Sequence, residues 1–386
     1  MHNISLLIGL KNNLEYTKYS YDIIRSVYPT LEICYVSYGS TDGTDEWLHA
    51  LNDRNVHYYC STEQKTLSDT YNKAAEIATK DYVIHMHNDI IVAPGFIENI
   101  EKHINPKRLV SFTTIEPPIF AGHDRPGKII KDFGADIGTL KLEELYSYCK
   151  DIQTKYKDQL DLQGTIFGCI SREVMLGIGG MDSLFSPMFC EDDDYLRRLR
   201  MHGIELVTAL DSLTYHFVSK TSRFSEEYKT KTQLIEERSN KNYVRKWGSR
   251  SPAKKYDVGF VVEGCNYELL SILEPWCSTI YLQDEMQVLT AHYLDTEQKN
   301  TKFNLSKKIK DLKHTTPNND VIVKFNGKQL TNESFQLLIQ LPEIIAESGE
   351  VGDFELDIFK ISIYSTETYE HKLITNDNPY YTNQLL

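Results

Sequence analysis

The sequence lacks the features of several protein classes. Its seven cysteines form no CxxC pair and no metal-ligand spacing, and seven in 386 residues are sparse for a disulfide framework. No apolar run approaches the roughly 18–20 residues that span a bilayer. The first residues show neither the basic stretch nor the cleavage pattern of a secretory signal. We therefore expect reduced cysteines, no transmembrane segment and a cytoplasmic location.

Positive charge is also scarce. The chain has 42 Lys and Arg against 55 Asp and Glu, for a formal net charge of −13. Because binding to a phosphate backbone requires a basic surface, this balance argues against a nucleic-acid partner. No repeat and no low-complexity tract is visible. What remains is an ordinary globular composition, 41% hydrophobic and 25% charged, long enough for two domains.

The first part of the chain alternates apolar runs with helical spacing. NISLLIGLK predicts a buried strand, TKYSYDIIRSVY a helix, and LEICYVSYGSTDGTDEWLHAL a strand that runs through a turn into a helix. The alternation continues to DYVIHMHND, a strand that ends in polar residues. This βαβ pattern predicts an α/β sheet, whose ligands lie beyond the carboxyl ends of the strands.

The pattern weakens and then returns. Residues 105–165 give little signal, and EPPIFAGHDRPGK within them predicts a loop where an acceptor-facing insertion could lie. LKLEELYSYCKDIQTKYK predicts a helix, and IELVTALDSLTYHFVSKTS contains at least one strand ending near His216. Predictable secondary structure therefore continues beyond residue 165.

A polar segment with a proline, SRSPAKK at 249–255, predicts a linker. We expect a first domain at 1–250 and a smaller α/β domain at 251–386. The second domain is predicted to alternate strands with helices; its expected strands are YDVGFVVEG, STIYLQD, NDVIVKFNG and FELDIFKISIYS.

An acidic cluster stands directly before three arginines in MFCEDDDYLRRLRMHG. Asp193 and Asp194 each have an arginine four residues later, and such pairs support a helix by ~0.2–0.5 kcal/mol each. Glu191 and Asp192 have no such partner. Acidic residues favour a helix N-terminus for electrostatic reasons, so capping is one interpretation of this pair and chemistry is the other.

Four segments follow one another over about 210 residues: EICYVSYGSTDGTDEWL, HNDIIVAPGFIENI, GCISREVMLGIGGMDSLFSPMFCEDDDYLRRLRMHGIELV and YVRKWG. In order and spacing they resemble GT-A glycosyltransferases of family 2: the Gly-Ser-Thr-Asp-Gly-Thr turn, the Asp-X-Asp motif, the acceptor-side segment with a Glu-Asp pair, and the closing Lys-Trp-Gly. The resemblance implies a GT-A nucleotide-diphospho-sugar transferase fold, a Rossmann-like mixed sheet flanked by helices, for residues 1 to about 248. It says nothing of residues 252–386.

The resemblance implies a metal site. Asp89 matches the metal-binding last position of the Asp-X-Asp motif, and His216 resembles the late histidine that completes the site in some members. Oxygen ligands suit Mg²⁺ or Mn²⁺, and an imidazole suits Mn²⁺ better. The alternatives are a turn-forming aspartate ahead of Pro-Gly and a satisfied histidine in a strand.

It also implies an inverting transfer of a sugar from a nucleotide-diphosphate donor, with a UDP-sugar favoured, to a hydroxyl of a glycan or other acceptor. Asp192 matches the general base that takes the proton of the attacking hydroxyl. Glu191 is expected to bind an acceptor hydroxyl or to orient the site. These are the two carboxylates that helix pairing leaves unexplained.

The expected contacts to the nucleotide are Ser37, Tyr38, Gly39, Asp69 and Asn88. Here the sequence departs from the family. The usual aspartate near Ser37 is absent, although Tyr38 could stack on the base, and Asp69 could equally be a helix-surface residue.

At the Asp-X-Asp motif, His87 replaces the first acidic residue. These departures support a second hypothesis, a sugar-nucleotide or glycan-binding module that has lost catalysis. A nucleotidyltransferase is disfavoured because IGLKNN lacks a Gly-X-Gly-Thr-Arg start. The second domain has no Gly-X-Gly-X-X-Gly fingerprint, and acceptor binding, oligomerisation and docking stay open as its roles.

Overall fold

The computed structural model describes residues 2–119, 123–218, 220, 227–252, 254–283 and 287–369. The chain divides into two compact units, Met1–Gln233 and Leu234–Leu386. The domain boundary expected at 250/251 stays a prediction, since the division into units falls earlier, within the helix Thr232–Trp247. The predicted loop and the predicted linker each include residues outside the described ranges.

The strands of the first unit are β1 (Ile4–Leu10), β2 (Glu32–Tyr38), β3 (Val56–Ser61), β4 (Tyr82–His87), β5 (Ile90–Val92), β6 (Arg108–Glu116), β7 (Lys128–Ile130), β8 (Leu160–Asp161), β9 (Gly168–Ser171) and β10 (Glu205–His216). Its helices are α1 (Leu14–Val27), α2 (Thr44–Ala50), α3 (Leu67–Ile77), α4 (Phe96–Glu101), α5 (Leu142–Lys155), α6 (Arg172–Gly177) and α7 (Glu191–Met201).

These strands form one mixed sheet with the order β3-β2-β1-β4-β9-β6-β10-β5, with β7 added beside β6 and β8 beside β10. Strands β1 to β4 are mutually parallel, as the βαβ pattern predicts. Strands β1 and β2 read as nearly continuous buried runs because helices cover both faces of a parallel sheet. Their carboxyl ends therefore meet at one edge.

Strand β6 is the main element that the sequence pattern missed. It lies in the stretch where the signal weakens, yet nearly all of its nine residues are buried. RLVSFTTIE mixes apolar residues with Ser and Thr, so its pattern resembles neither an alternating nor a continuous apolar strand. Its place is set by pairing with β10 in parallel and β9 in antiparallel orientation.

Apolar residues on both faces of the sheet form the core of the first unit. On one face, α1, α4 and α5 contribute residues such as Ile24, Phe96 and Leu145. On the other, α3 and α7 contribute Tyr71 and Leu199. Two helical layers thus hold the sheet rigid beneath its carboxyl edge.

The second unit begins with α8 (Thr232–Trp247), assigned to it from Leu234 onwards. Its strands are β11 (Val258–Glu263), β12 (Thr279–Leu282), β13 (Ile309–Asp311), β14 (Val321–Asn326), β15 (Gly352–Leu356) and β16 (Phe359–Ile363). Its further helices are α9 (Tyr267–Leu273), α10 (Gln287–Glu297), α11 (Leu305–Lys308) and α12 (Asn332–Ser348). The sheet order over the described residues is β13-β12-β11-β14-β16-β15, parallel from β13 to β14 and antiparallel beyond.

One prediction for this unit is wrong. FELDIFKISIYS was expected to form a single strand, whereas the structure folds it into the hairpin of β15 and β16. Asp357 adopts a left-handed backbone with φ of 53° at the turn, and aspartate tolerates this conformation better than most residues. The turn consists of a short Asp-Ile pair and contains no glycine. The apolar pattern of the segment therefore gives no sign that a turn is present.

A buried ionic cluster lies inside the second unit. The Arg245 guanidinium donates to both oxygens of Glu274 and to Glu297, and the Lys308 ammonium lies 2.8 Å from Glu274. The Tyr293 hydroxyl donates to the same carboxylate at 2.9 Å. Because these groups satisfy one another, the cluster can lie out of contact with water.

All seven cysteines are free, as expected from their spacing. Within the described ranges, none of the helices combines the length and the apolar character that crossing a bilayer requires.

Candidate active site

Three side chains converge at the carboxyl edge of the first sheet. Possible ligand atoms of His87, Asp89 and His216 all lie within 4.8 Å of one another. The His216 Nε2 atom is 3.4 Å from Asp89 Oδ1, and His87 Nδ1 is 4.0 Å from the same oxygen. Sequence reasoning named Asp89 and His216 as the pair, and the structure brings them together with His87 as a third.

Backbone pairing explains why residues so far apart in sequence meet. Strand β4 ends at His87, and the chain turns directly into β5, which pairs with the end of β10 so that Ile90 lies opposite His216. The Phe217 amide also donates to the Asp89 carbonyl at 3.1 Å. The last residue of β10 is thereby fixed beside the acidic residue that follows β4.

Burial and charge give the three groups different protonation. Burial alone would raise the pKa of Asp89, but the neighbouring His216 lowers it to about 2. Desolvation lowers the pKa of His87 to about 4, so its ring is neutral at pH 7. For His216, Asp89 and Glu116 outweigh burial and raise the pKa to about 9.

The group fits a divalent cation. Asp89 is 1% exposed and His216 is 6% exposed. Asp89 Oδ1 and His216 Nε2 find no further hydrogen-bond partner among the described residues. Buried polar atoms without partners are costly, and a cation between them would satisfy both. One carboxylate and two imidazoles form a donor set suited to Mn²⁺ and less so to Mg²⁺.

A cavity of about 330 Å³ opens beside these residues. Its walls include Lys11, Tyr38, Lys65, Tyr71, His85, His87, Asn88, Ile166, Phe167, Met181, Pro187, Met188, Phe189, Glu191, Asp192, His216 and Tyr228. The predicted metal residue His216 and the predicted pair Glu191 and Asp192 thus face one cavity. Its size is that of a small-molecule site.

Glu191 and Asp192 occupy the first turn of α7, which begins at Glu191. Glu191 is 7% exposed, and its Oε2 has no hydrogen-bond partner among the described residues. Burial and the charge of Asp192 raise the pKa of Glu191 to about 8, so its carboxyl is protonated at pH 7. Asp192 is partly exposed to the cavity. The two adjacent carboxyl groups therefore lie in different environments.

The next carboxylate has a structural role. Asp194 accepts from the Arg198 guanidinium at 2.9 Å in a buried pair, as the i,i+4 spacing predicts. Arg198 also donates to the carbonyls of Ile178 and Gly180 at 2.9 and 2.7 Å. This network ties α7 to the turn before it and holds the first residues of the helix at the cavity.

The predicted nucleotide contacts divide into two sets. Tyr38 and Asn88 line the cavity, although the Asn88 amide donates to Thr17 at 2.9 Å. Ser37 is buried and donates to Asp45, and Asp69 caps α3 through reciprocal bonds with Thr66.

Gly39 has a left-handed φ of 64° and bonds through its amide to the Ser61 carbonyl. Like Ser37 and Asp69, it is absent from the cavity walls described above. The nucleotide contacts expected of these three residues stay predictions.

The structure also adds residues that the sequence reasoning missed. Lys11 follows β1 and donates to the carbonyls of Tyr38 and Gly39, which places a cation beside the expected base position. Phe167 packs edge-on against His87 with ring centres 4.8 Å apart. The only sequence signal for Lys11 was its place after a predicted strand, and Phe167 had none.

Comparison with known proteins adds a family. Residues 5–170 match the model of glycosyl transferase family 2. No curated protein matches the sequence. Among solved structures, the mannosyltransferase PcManGT from Pyrobaculum calidifontis, in complex with GDP-Man and Mn²⁺, is similar at 19% identity and a TM-score of 0.40. It aligns over 57% of this chain and 58% of its own.

GalNAc-T7 with UDP, GalNAc and Mn²⁺ is similar at 14% identity and a TM-score of 0.46, over 64% of this chain and 48% of its own. The chain thus covers less than two thirds of either structure. The family match and the mixed sheet agree with the expected fold. Over residues 5–170, the first unit is thus similar to glycosyl transferase family 2.

Proposed function

We propose that this protein is an inverting, metal-dependent glycosyltransferase that moves a sugar from a nucleotide-diphosphate donor to a hydroxyl of a glycan or other acceptor. The observation that carries the proposal is a single cavity whose wall includes both His87 and His216 and the pair Glu191 and Asp192. If the diphosphate of the donor bound beside His87 and His216, the anomeric carbon of the donor sugar would lie in the same cavity as the carboxyl groups of Glu191 and Asp192.

Asp192 is the proposed general base. A hydroxyl that attacks the anomeric carbon must lose its proton, and a carboxylate within hydrogen-bond reach accepts it. Attack from the face opposite the leaving diphosphate inverts the anomeric centre. The partly exposed position of Asp192 allows it to meet an acceptor, whereas the protonated Glu191 is suited to donate a hydrogen bond to a hydroxyl.

His87, Asp89 and His216 are the proposed ligands of Mn²⁺ or Mg²⁺. When bound, such a cation supplies Lewis-acid stabilisation of the charge that develops on the departing diphosphate. The chain's own contribution is to hold the three ligands on paired strands and to keep the carboxylate ionised. Tyr38 and Lys11 are the proposed contacts to the nucleotide, and a UDP-sugar is the favoured donor. The cytoplasmic location stays a prediction.

The first test is a thermal-shift panel of UDP, GDP, TDP and CMP with their sugar conjugates, each with and without Mn²⁺. A ligand at 100 times its dissociation constant stabilises the folded state by about 2.7 kcal/mol. We expect a Mn²⁺-dependent rise with one nucleotide in the wild type and none in Asp89→Ala. Asp193→Asn, an exposed carboxylate of α7, is the matched control. A rise that survives Asp89→Ala would contradict the proposed metal site.

A second candidate is a sugar-nucleotide or glycan-binding module without transfer activity. It is favoured by one observation: the family usually has an aspartate near Ser37 or Tyr38 that contacts the base or the ribose, whereas here Ser37 is buried and bonded to Asp45. Nucleotide-sugar binding without hydrolysis or transfer across many acceptors would favour this candidate. Release of the nucleotide with a product of inverted anomeric configuration, observed by NMR, would exclude it.

A further inference from the structure

The buried Glu116 and the partly exposed Lys128 form an ion pair behind the proposed metal ligands. Glu116 ends β6 and is 7% exposed. Its Oε1 atom lies 3.2 Å from His216 Nδ1 and accepts from the Thr114 hydroxyl at 3.3 Å. The Lys128 ammonium forms an ion pair with the other carboxylate oxygen. The carboxylate therefore lies between an imidazole and an ammonium group.

We propose that Glu116, held by Lys128, is a positioning residue that presents His216 to the metal ion. An ionised carboxylate only accepts hydrogen bonds, so its contact with Nδ1 keeps the proton on that nitrogen. The other nitrogen, Nε2, lies 3.4 Å from Asp89 Oδ1, and a metal ion bound there would replace its proton and take its lone pair. Carboxylates that accept from the second nitrogen of a ligating histidine orient the ring and raise its basicity. This inference rests on the metal site in the proposed function.

The path of the chain explains how Lys128 reaches Glu116. After β6 the chain leaves the sheet and returns as β7, which pairs in parallel with β6 so that Thr114 lies opposite Lys128 and Glu116 opposite Ile130. The stretch EPPIFAGHDRPGK, predicted as a loop where an acceptor-facing insertion could lie, therefore also brings Lys128 to Glu116, behind the proposed metal ligands. The ammonium group there pairs with the carboxylate oxygen that does not contact His216.

The test measures Mn²⁺ affinity of the full chain by electron paramagnetic resonance of free Mn²⁺, at one pH. For Glu116→Ala we expect a 10- to 100-fold loss of affinity, the range seen when such outer partners are removed. Glu116→Gln retains an amide oxygen for Nδ1–H and should lose less. Lys128→Met, which contacts neither the metal nor a ligand, should lie between Glu116→Ala and the wild type.

Lys131→Met is the matched control, because Lys131 follows the same strand and lies over the Tyr148 ring, 3.9 Å from its centre. It should bind Mn²⁺ as the wild type does. A second readout is the ¹⁵N spectrum of the His216 ring in the Zn²⁺-loaded protein. We expect a proton on Nδ1 and the metal on Nε2 in the wild type, with mixed forms in Glu116→Ala. Thermal midpoints measured without metal show which variants fold. If Glu116→Ala does not fold, the Mn²⁺ affinities of Lys128→Met and Glu116→Gln test the positioning role.

The outcomes separate two failures. If Asp89→Ala abolishes Mn²⁺ binding while Glu116→Ala, Glu116→Gln and Lys128→Met bind like the wild type, the positioning role is refuted and the metal site stands. If the wild type binds Mn²⁺ no better than Asp89→Ala, the metal site and the positioning role fall together. A graded loss with the order described above, and unchanged binding in Lys131→Met, supports the role.

Discussion

Replacing Glu191 with glutamine should make the first unit more stable at neutral pH. The Glu191 carboxyl is buried at the N-terminus of α7, where burial and the charge of Asp192 raise its pKa from 4.5 to about 8. Between these values the folded state holds the proton and the unfolded state has lost it. Stability therefore falls as pH rises through this window, because the unfolded state binds fewer protons.

The magnitude follows from the two pKa values. Each pH unit inside the window costs about 1.4 kcal/mol, so the penalty grows by about 3 kcal/mol between pH 5 and pH 7. It levels off above pH 8 at about 5 kcal/mol, when the folded carboxyl also ionises. Glutamine has the same shape and no titration, so the advantage of Glu191→Gln should be small at pH 5 and grow steadily to pH 8.

The assay is hydrogen exchange of peptides from β1 and β4 against urea, read by mass spectrometry at pH 5, 6, 7 and 8. These strands lie in the core of the first unit, so they report its unfolding and not that of the second. Glu173→Gln is the control, since this carboxylate on α6 is exposed and is not among the charges that raise the pKa of Glu191. Curves of wild type and Glu191→Gln that run parallel from pH 5 to pH 8 would refute the argument that Glu191 is protonated when folded.

Three further predictions follow from the contacts described above. Asp192→Asn should lower kcat by about 10²- to 10⁴-fold, the usual contribution of a general base, with little change in nucleotide-sugar binding; turnover near the wild-type value in a folded variant would remove the role. Arg198→Ala should cost about 3–5 kcal/mol in the same exchange assay, because it removes the guanidinium that forms a buried ion pair with Asp194; a loss below about 1 kcal/mol would contradict this. Glu274→Gln should cost a similar amount in the second unit, measured on β11 peptides, since it leaves Arg245 and Lys308 facing a neutral amide; an unchanged exchange rate would argue that water reaches the cluster.

Much of the scaffold was predictable from the chain. Continuous apolar runs bounded by turn residues identified β1, β2 and β4, because strands covered on both faces need apolar side chains on both. The order of the motifs indicated the family, and the i,i+4 spacing indicated the Asp194–Arg198 pair. Strand β6 escaped because its Ser and Thr residues are satisfied by tertiary hydrogen bonds, as Ser111 is by the Thr165 carbonyl.

The sequence by itself determined which residue types stand at the ends of strands: Asp89 after β4, His216 at the end of β10, and Glu191 and Asp192 at the start of α7. Only the tertiary structure decided which of them meet. The pairing of β5 with β10 brings His216 to Asp89, and the return of β7 brings Lys128 to Glu116. Protonation was decided there too, because burial raises the pKa of Glu191, and the pKa of His216 depends on burial and on the charges of Asp89 and Glu116 from distant parts of the chain. Local sequence patterns determine which functional groups follow each strand or begin each helix. Strand pairing and desolvation depend on segments that are far apart along the chain, so a local pattern does not reveal them.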